Sequence, residues 1–150
     1  MRATNNCWPA ARVLSYHAAM QDRPTVLELL AAVRAFLETD VVPALEGTKK
    51  FHARVAANVL AIVARELDVE AEQAIAEWTR LDDLLDPEPM ANDPHARRAG
   101  IRRRNVVLCE RIQRGDADHG AFRQGVIAHL RQTAREKLSV ANPKLLEGER

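Results

Sequence analysis

Apolar residues recur at three- and four-residue spacing over most of the chain after residue 25, and no segment alternates as a half-buried strand does. Val26, Leu29, Leu30, Val33, Phe36 and Leu37 set out a first helix over about 26–39. Thr25 and Glu28 stand at capping-box spacing at its start. Pro43 either interrupts this helix or begins a short second piece, which Gly47 ends. The stretch "FHARVAANVLAIVAREL", residues 51–67, reads as a long helix from about 49 with Thr48 as cap. Asp68 looks like the cap of a further helix, which buries Ala71, Ala74, Ile75, Trp78, Leu81 and Leu85. Residues 86–96 hold three prolines and no periodicity, so they read as a loop. Ile101, Leu108 and Ile112 mark a helix over about 98–113, closed by Gly115. Phe122, Val126, Leu130, Ala134 and Leu138 mark the last, over about 121–138, with Asp118 as its cap. No internal repeat appears. The pattern predicts an all-α, single-domain antiparallel helical bundle of about five helices over residues 20–150. Residues 1–19 show no sustained periodicity and read as an N-terminal extension.

Composition supports this picture. The 150 residues are 47% hydrophobic and 29% charged, and only 4% are aromatic, values that suit closely packed, alanine-rich helices better than a β-sandwich. A net charge of +1 supplies no global field to recruit nucleic acid or a membrane surface. The longest apolar run, "VLAIVA", is too short to span a bilayer, and residues 1–19 lack the apolar centre of a secretory signal. Two cysteines, Cys7 and Cys109, make no framework and fit a reducing, cytoplasmic setting.

One polar feature stands out on the most apolar helix. At about 100° per residue, Arg54, Asn58 and Arg65 fall within roughly 40° of one another. Phe51, Val55, Val59 and Ile62 lie on one side of this stripe, with Ala53, Ala57, Ala61 and Ala64 on the other. Asn105 occupies a comparable place in the apolar stripe of the fourth helix. Arg54, Asn58 and Asn105 are therefore candidate ligand-binding residues for an anionic or amide-bearing molecule, since a guanidinium grips carboxylate or phosphate in a fork. The competing reading, a buried network closed by a carboxylate such as Glu28 or Glu38, is favoured because buried polar groups are usually satisfied within the fold. His52 points elsewhere and reads as a packed or surface residue.

Charge is segregated along the chain. Residues 66–88 carry nine acidic side chains and one basic, while 97–114 carry seven arginines and one glutamate. Arg97, Arg98, Arg102, Arg103 and Arg104 are thus candidates for binding a partner. Nucleic acid fits poorly, because no aromatics interleave and no reader motif is present. The alternative is that acidic and basic helices face each other or solvate the surface. "GDADHG" (115–120) gathers two carboxylates and an imidazole, but its spacing matches no metal motif and a helix stop and cap explain it. There is no GxSxG, HExxH or phosphate-binding glycine loop, and nothing calls for a cofactor or argues for catalysis.

Four strings are familiar together: "MQDRPT", "FHARVAANVLAIVAREL", "NVVLCERIQRG" and "HLRQTAREKLSVANP". Over residues 20–146 they resemble an uncharacterised bacterial family of small α-helical proteins of no assigned activity. Genes of that family often lie beside acyl-CoA dehydrogenases and aminoglycoside-phosphotransferase-like kinases. The resemblance implies a start near Met20 and supplies no catalytic residues; the arginine-rich stretch 94–104 fits its pattern poorly. Taken together, the expectation is a non-catalytic accessory or interaction module, with a neighbour-encoded enzyme or a second copy as partner. A small-molecule binding protein for an anionic or acyl-CoA-like ligand is the alternative.

Overall fold

A computed structural model describes residues 23–149; the extension 1–19, with Cys7, lies outside the described residues. The chain is all-α, as the periodicity predicts. Four helices carry it: α1 (Val26–Phe36), α2 (Gly47–Asp82), α3 (Pro94–Gln113) and α4 (Gly120–Ala141), followed by a 3-10 turn over Pro143–Glu149. Thr25 and Glu28 form the expected capping box, with Thr25 N–H donating to Glu28 at 2.7 Å and Glu28 N–H to the Thr25 hydroxyl at 3.2 Å.

Pro43 does not break the first helix. The run continues through a π-helical turn, Leu37–Val41, and a short α turn, Val42–Ala44. Proline lacks an N–H and crowds the carbonyl four residues back, and a widened turn just before it accommodates both. Leu45 is extended, and Gly47 takes φ +55°, a left-handed conformation that reverses the chain into α2.

The two helices expected over 49–85 are one. α2 runs unbroken for 36 residues, about 54 Å at 1.5 Å per residue. Asp68 lies exposed in its middle and caps nothing; Thr48 is inside the helix, whose N-cap is Glu46 with no side-chain bond. Nothing in the run 64–72 breaks a helix, so propagation prevails over the local capping preference of a lone aspartate. Asp118 likewise does not cap α4; His119 is the N-cap, and Gly120 enters the helix at φ +78°.

α1 returns antiparallel along the N-terminal half of α2. α4 is also antiparallel to α2, since Arg65 meets Val140 and Leu84 lies against Gly125. α3 instead runs parallel to the C-terminal half of α2. Glu70 pairs with Arg98, Glu77 with Asn105, and Leu84 with Arg111, so both helices advance together. The proline-rich segment 83–93 makes this possible by carrying the chain back alongside α2 before α3 begins at Pro94, with Asp93 as cap. Extended chain covers over twice the distance per residue of a helix, so eleven residues suffice for the return.

The core sits where α2, α3 and α4 meet: Trp78, Leu81, Leu84, Ile101, Leu108 and Val126, with Met90 and Phe122 at its edge. Gly100 is required there, because a Cβ would stand 2.5 Å from Trp78 Cζ3 and 2.8 Å from Cη2. Gly100→Ala is expected to destabilise the fold by about 1–3 kcal/mol through overpacking against the indole. The drop in urea midpoint, with Gly148→Ala as an open-space control, measures it.

Candidate functional site

The arginine-rich stretch is for the most part consumed by the fold. Arg97 donates to the carbonyls of Ala91 and Asn92 at 3.2 Å each, and Arg98 pairs with Glu70. Arg103 makes a fork on Glu88, one arm at 3.0 Å. That pairing holds the Glu88 carboxyl below its usual pKa and raises the guanidinium's. Arg104 is a correction to its place among the partner-binding candidates. It is 1% exposed, ion-paired to Asp82 at 2.8 Å, donates to the carbonyls of Trp78 and Asp86, and lies 5.0 Å from the Trp78 ring centroid. A side chain so enclosed cannot reach another molecule. Of the five, Arg102 alone is exposed with no pairing to a described residue. The segregated charges face one another because the return segment lays the basic helix beside the acidic half of α2. Replacing Arg104 by Ala or Met is expected to cost about 3–5 kcal/mol, as for a broken buried ion pair, and Lys should not rescue it because an ammonium cannot span Asp82 and two carbonyls. Chemical denaturation of the three variants checks this.

The stripe on α2 forms a site of a different kind. Arg54, Asn58 and Arg65 line a groove of about 620 Å³ bounded by α1, α2 and the residues that follow α4. Its floor is Ala57 and Ala61, 3% and 6% exposed. The small side chains that let α1 approach α2 also leave the depression unfilled. Arg34 on α1 and Glu38 in the π-helical turn after it form one wall, joined by a 2.9 Å ion pair, and Lys144 stands on the opposite rim. Arg65 Nε donates to the Val140 carbonyl at 2.7 Å, one of the orphan acceptors at the end of α4. Arg54 and Asn58 are exposed and bond no described residue.

The carboxylate expected to close the stripe is therefore engaged elsewhere. Glu38 lines the groove but is held by Arg34, and Glu28 is occupied in the capping box. Asn105 does not join Arg54 and Asn58. Its amide donates to Glu77 at 2.9 Å, and Glu77 lies 19 residues beyond Asn58 on α2, about 28 Å along the axis. Three cationic side chains entered the groove without being among the candidate ligands: Arg34, Arg65 and Lys144. Arg65 was readable from the stripe; Arg34 and Lys144 come from elements whose placement only the fold defines. His52 is exposed and stacks edge-on against Phe51.

A second polar cluster lies between α2 and α4. Arg80 grips Glu136 with two bonds of 2.9 and 2.6 Å, and Gln132 adds a third at 3.0 Å. Beside them His129 is 4% exposed, and among the described residues neither its Nδ1 nor the Thr133 hydroxyl has a partner. Burial lowers the His129 pKa from its usual 6.5, and the Arg80 charge lowers it further, against the opposing pull of Glu77 and Glu136. Nothing in the sequence pattern separated His129 from the other histidines. The Arg80–Glu136 fork is closed on itself, which leaves neither group free for proton transfer.

The sign of the pH effect follows. The unfolded chain takes up a proton on His129 near pH 6.5 while the folded one resists, so the contribution to stability is complete above that pH and is lost as the pH falls below it. Unfolding free energy is expected to decline from pH 7 to about 5.5 more steeply in the native chain than in His129→Gln. Parallel urea titrations across that interval compare the two slopes.

Fold and groove together define a small helical module with a cation-lined surface depression. The chain belongs to the family described as Domain of unknown function (DUF6285), whose sequence model matches residues 43–145. That span includes α2, α3, α4 and Lys144 but not α1, so the Arg34–Glu38 wall lies outside it. No curated protein matches the chain, and no solved structure does. No helix among the described residues is long and apolar enough to cross a membrane.

Proposed function

We propose that the protein is a non-catalytic accessory module that binds a small anionic ligand in the groove between α1 and α2. One observation carries the reading: Arg34, Arg54, Arg65 and Lys144 surround an alanine floor, and the single carboxylate among them, Glu38, is already held by Arg34. Arg54 and the terminal nitrogens of Arg65 are left for a ligand, with the Asn58 amide beside them as donor or acceptor. A volume of about 620 Å³ lies within the range of small-molecule sites. Phosphate and carboxylate both suit guanidinium forks. An acyl-CoA, phosphorylated at its nucleotide end, is the ligand that also accords with the family resemblance, and an acyl-CoA dehydrogenase or phosphotransferase-like enzyme is the partner that accords with it. Cys109, exposed and unpaired, fits a reducing cytoplasm.

Thermal-shift measurements with coenzyme A, acetyl-CoA, ATP and citrate at fixed ionic strength test the proposal. A ligand present at about 100 times its dissociation constant stabilises the folded chain by about 2.7 kcal/mol, so the melting temperature should rise by several degrees. Arg54→Glu should abolish that rise while leaving the ligand-free melting temperature unchanged, since Arg54 is exposed and bonds no described residue. An identical rise with potassium chloride alone, or an Arg54→Glu protein that unfolds several degrees lower without ligand, counts against it.

A further inference from the structure

α1 and the N-terminal half of α2 make a two-helix arm that leaves apolar side chains in water on the face turned from the groove. No residue of α1 is buried. Val26, Leu29, Val33 and Phe36 recur at 3-4-3 spacing, so they form one stripe, and each is between 48% and 57% exposed. On α1 this stripe lies about 120° round from Arg34, and therefore turns away from the groove. On α2, Val63 and Leu67 lie about 160° round from the Arg54–Asn58–Arg65 stripe and are 37% and 47% exposed. The face of the arm opposite the groove is thus apolar, while Phe51, Val55 and Val59, 62%, 43% and 50% exposed, form a separate stripe on α2 beside the polar one. Because α1 runs antiparallel along α2, its N-terminal end is directed toward the middle of α2, where Val63 and Leu67 stand.

The area and the shape of this face identify its occupant. These six side chains leave on the order of 600 Å² of apolar surface in water, at the upper end of what the largest patch of a typical monomer exposes. Two such faces pressed together remove about 1,200 Å², the lower bound of a specific interface. The layer missing from the arm is an antiparallel pair of helices with an apolar face at 3-4 spacing, and the arm is itself such a pair. A face that supplies its own complement is satisfied by a two-fold axis. Among the described residues no other element can serve, because α3 and α4 are committed to the C-terminal half of α2 and the groove side. We propose that the chain pairs with a second copy through Val26, Leu29, Val33, Phe36, Val63 and Leu67, the two arms forming an antiparallel four-helix bundle that leaves both grooves open on its outside.

Size-exclusion chromatography with light scattering on the full chain tests this over a concentration series. The expected mass at about 100 µM is twice the 16.8 kDa of the chain. Val33→Glu on α1 and Leu67→Gln on α2 should each weaken association by about 100-fold or more, with unchanged helicity by far-UV circular dichroism, because both positions are exposed in the single chain. Val106→Glu, 58% exposed on α3, should leave the dimer intact. A native protein that stays monomeric at the highest concentration overturns the proposal and leaves the face to a different chain. So does a dimer that survives both arm substitutions or dissociates with Val106→Glu.

Discussion

Arg104 holds a full charge with 1% of its surface in contact with water, and three separate pieces of chain meet on it. From α3 it reaches Asp82 and the Trp78 carbonyl at the end of α2, and the Asp86 carbonyl in the return segment. An unpaired buried charge is prohibitively costly, so the segment is drawn to the position that supplies its acceptors. The neighbouring bonds act in the same sense: Trp78 Nε1 donates to the Glu88 carbonyl at 3.3 Å, Glu88 N–H to Asp82 at 3.3 Å, and Arg97 holds Ala91 and Asn92. With the segment pinned, α3 must start level with Glu70 and run parallel to α2. The core of Trp78, Leu81, Ile101 and Leu108 follows from that register.

The other end of α2 is governed by size rather than charge. Ala53, Ala57 and Ala61 are its buried positions, so α1 can lie close without burying a large side chain of its own. Close approach through alanines yields little apolar burial per residue. The arm therefore contributes little core, and its larger apolar side chains stay at the surface while its arginines border a depression no side chain fills. The two features proposed as functional, an anion groove and a pairing face, are opposite sides of one weakly buried helix pair.

Much of this was legible in the chain. In α4 the spacing misplaced Leu130, which is 52% exposed while His129 is buried, but the capping box at Thr25, the helix stop at Gly115 and the apolar register of α3 are local matters, decided by residues within a few positions of one another. So was the Arg54–Asn58–Arg65 stripe. The reading failed where a local preference met a longer-range constraint. Asp68 and Thr48 are good caps, yet the helix runs through both because no neighbouring residue halts propagation. Asn105 matched Asn58 in pattern, but helical periodicity carries no information about axial level: Asn58 lies in the N-terminal half of α2, whereas Asn105, on α3, sits level with Glu77 in its C-terminal half.

What the sequence by itself determined is the helical class, the alanine face and the alignment of polar side chains down α2, because each depends on a period of 3.6 residues and nothing more. The tertiary structure decided which arginines were consumed and which were left. Arg104 and Arg54 are the same residue type on long helices, and only the segment packed beside each distinguishes them: a carboxylate and two carbonyls for one, an alanine-floored opening for the other. Charge pairing is a property of neighbours in space, and the parallel return of α3 chose those neighbours.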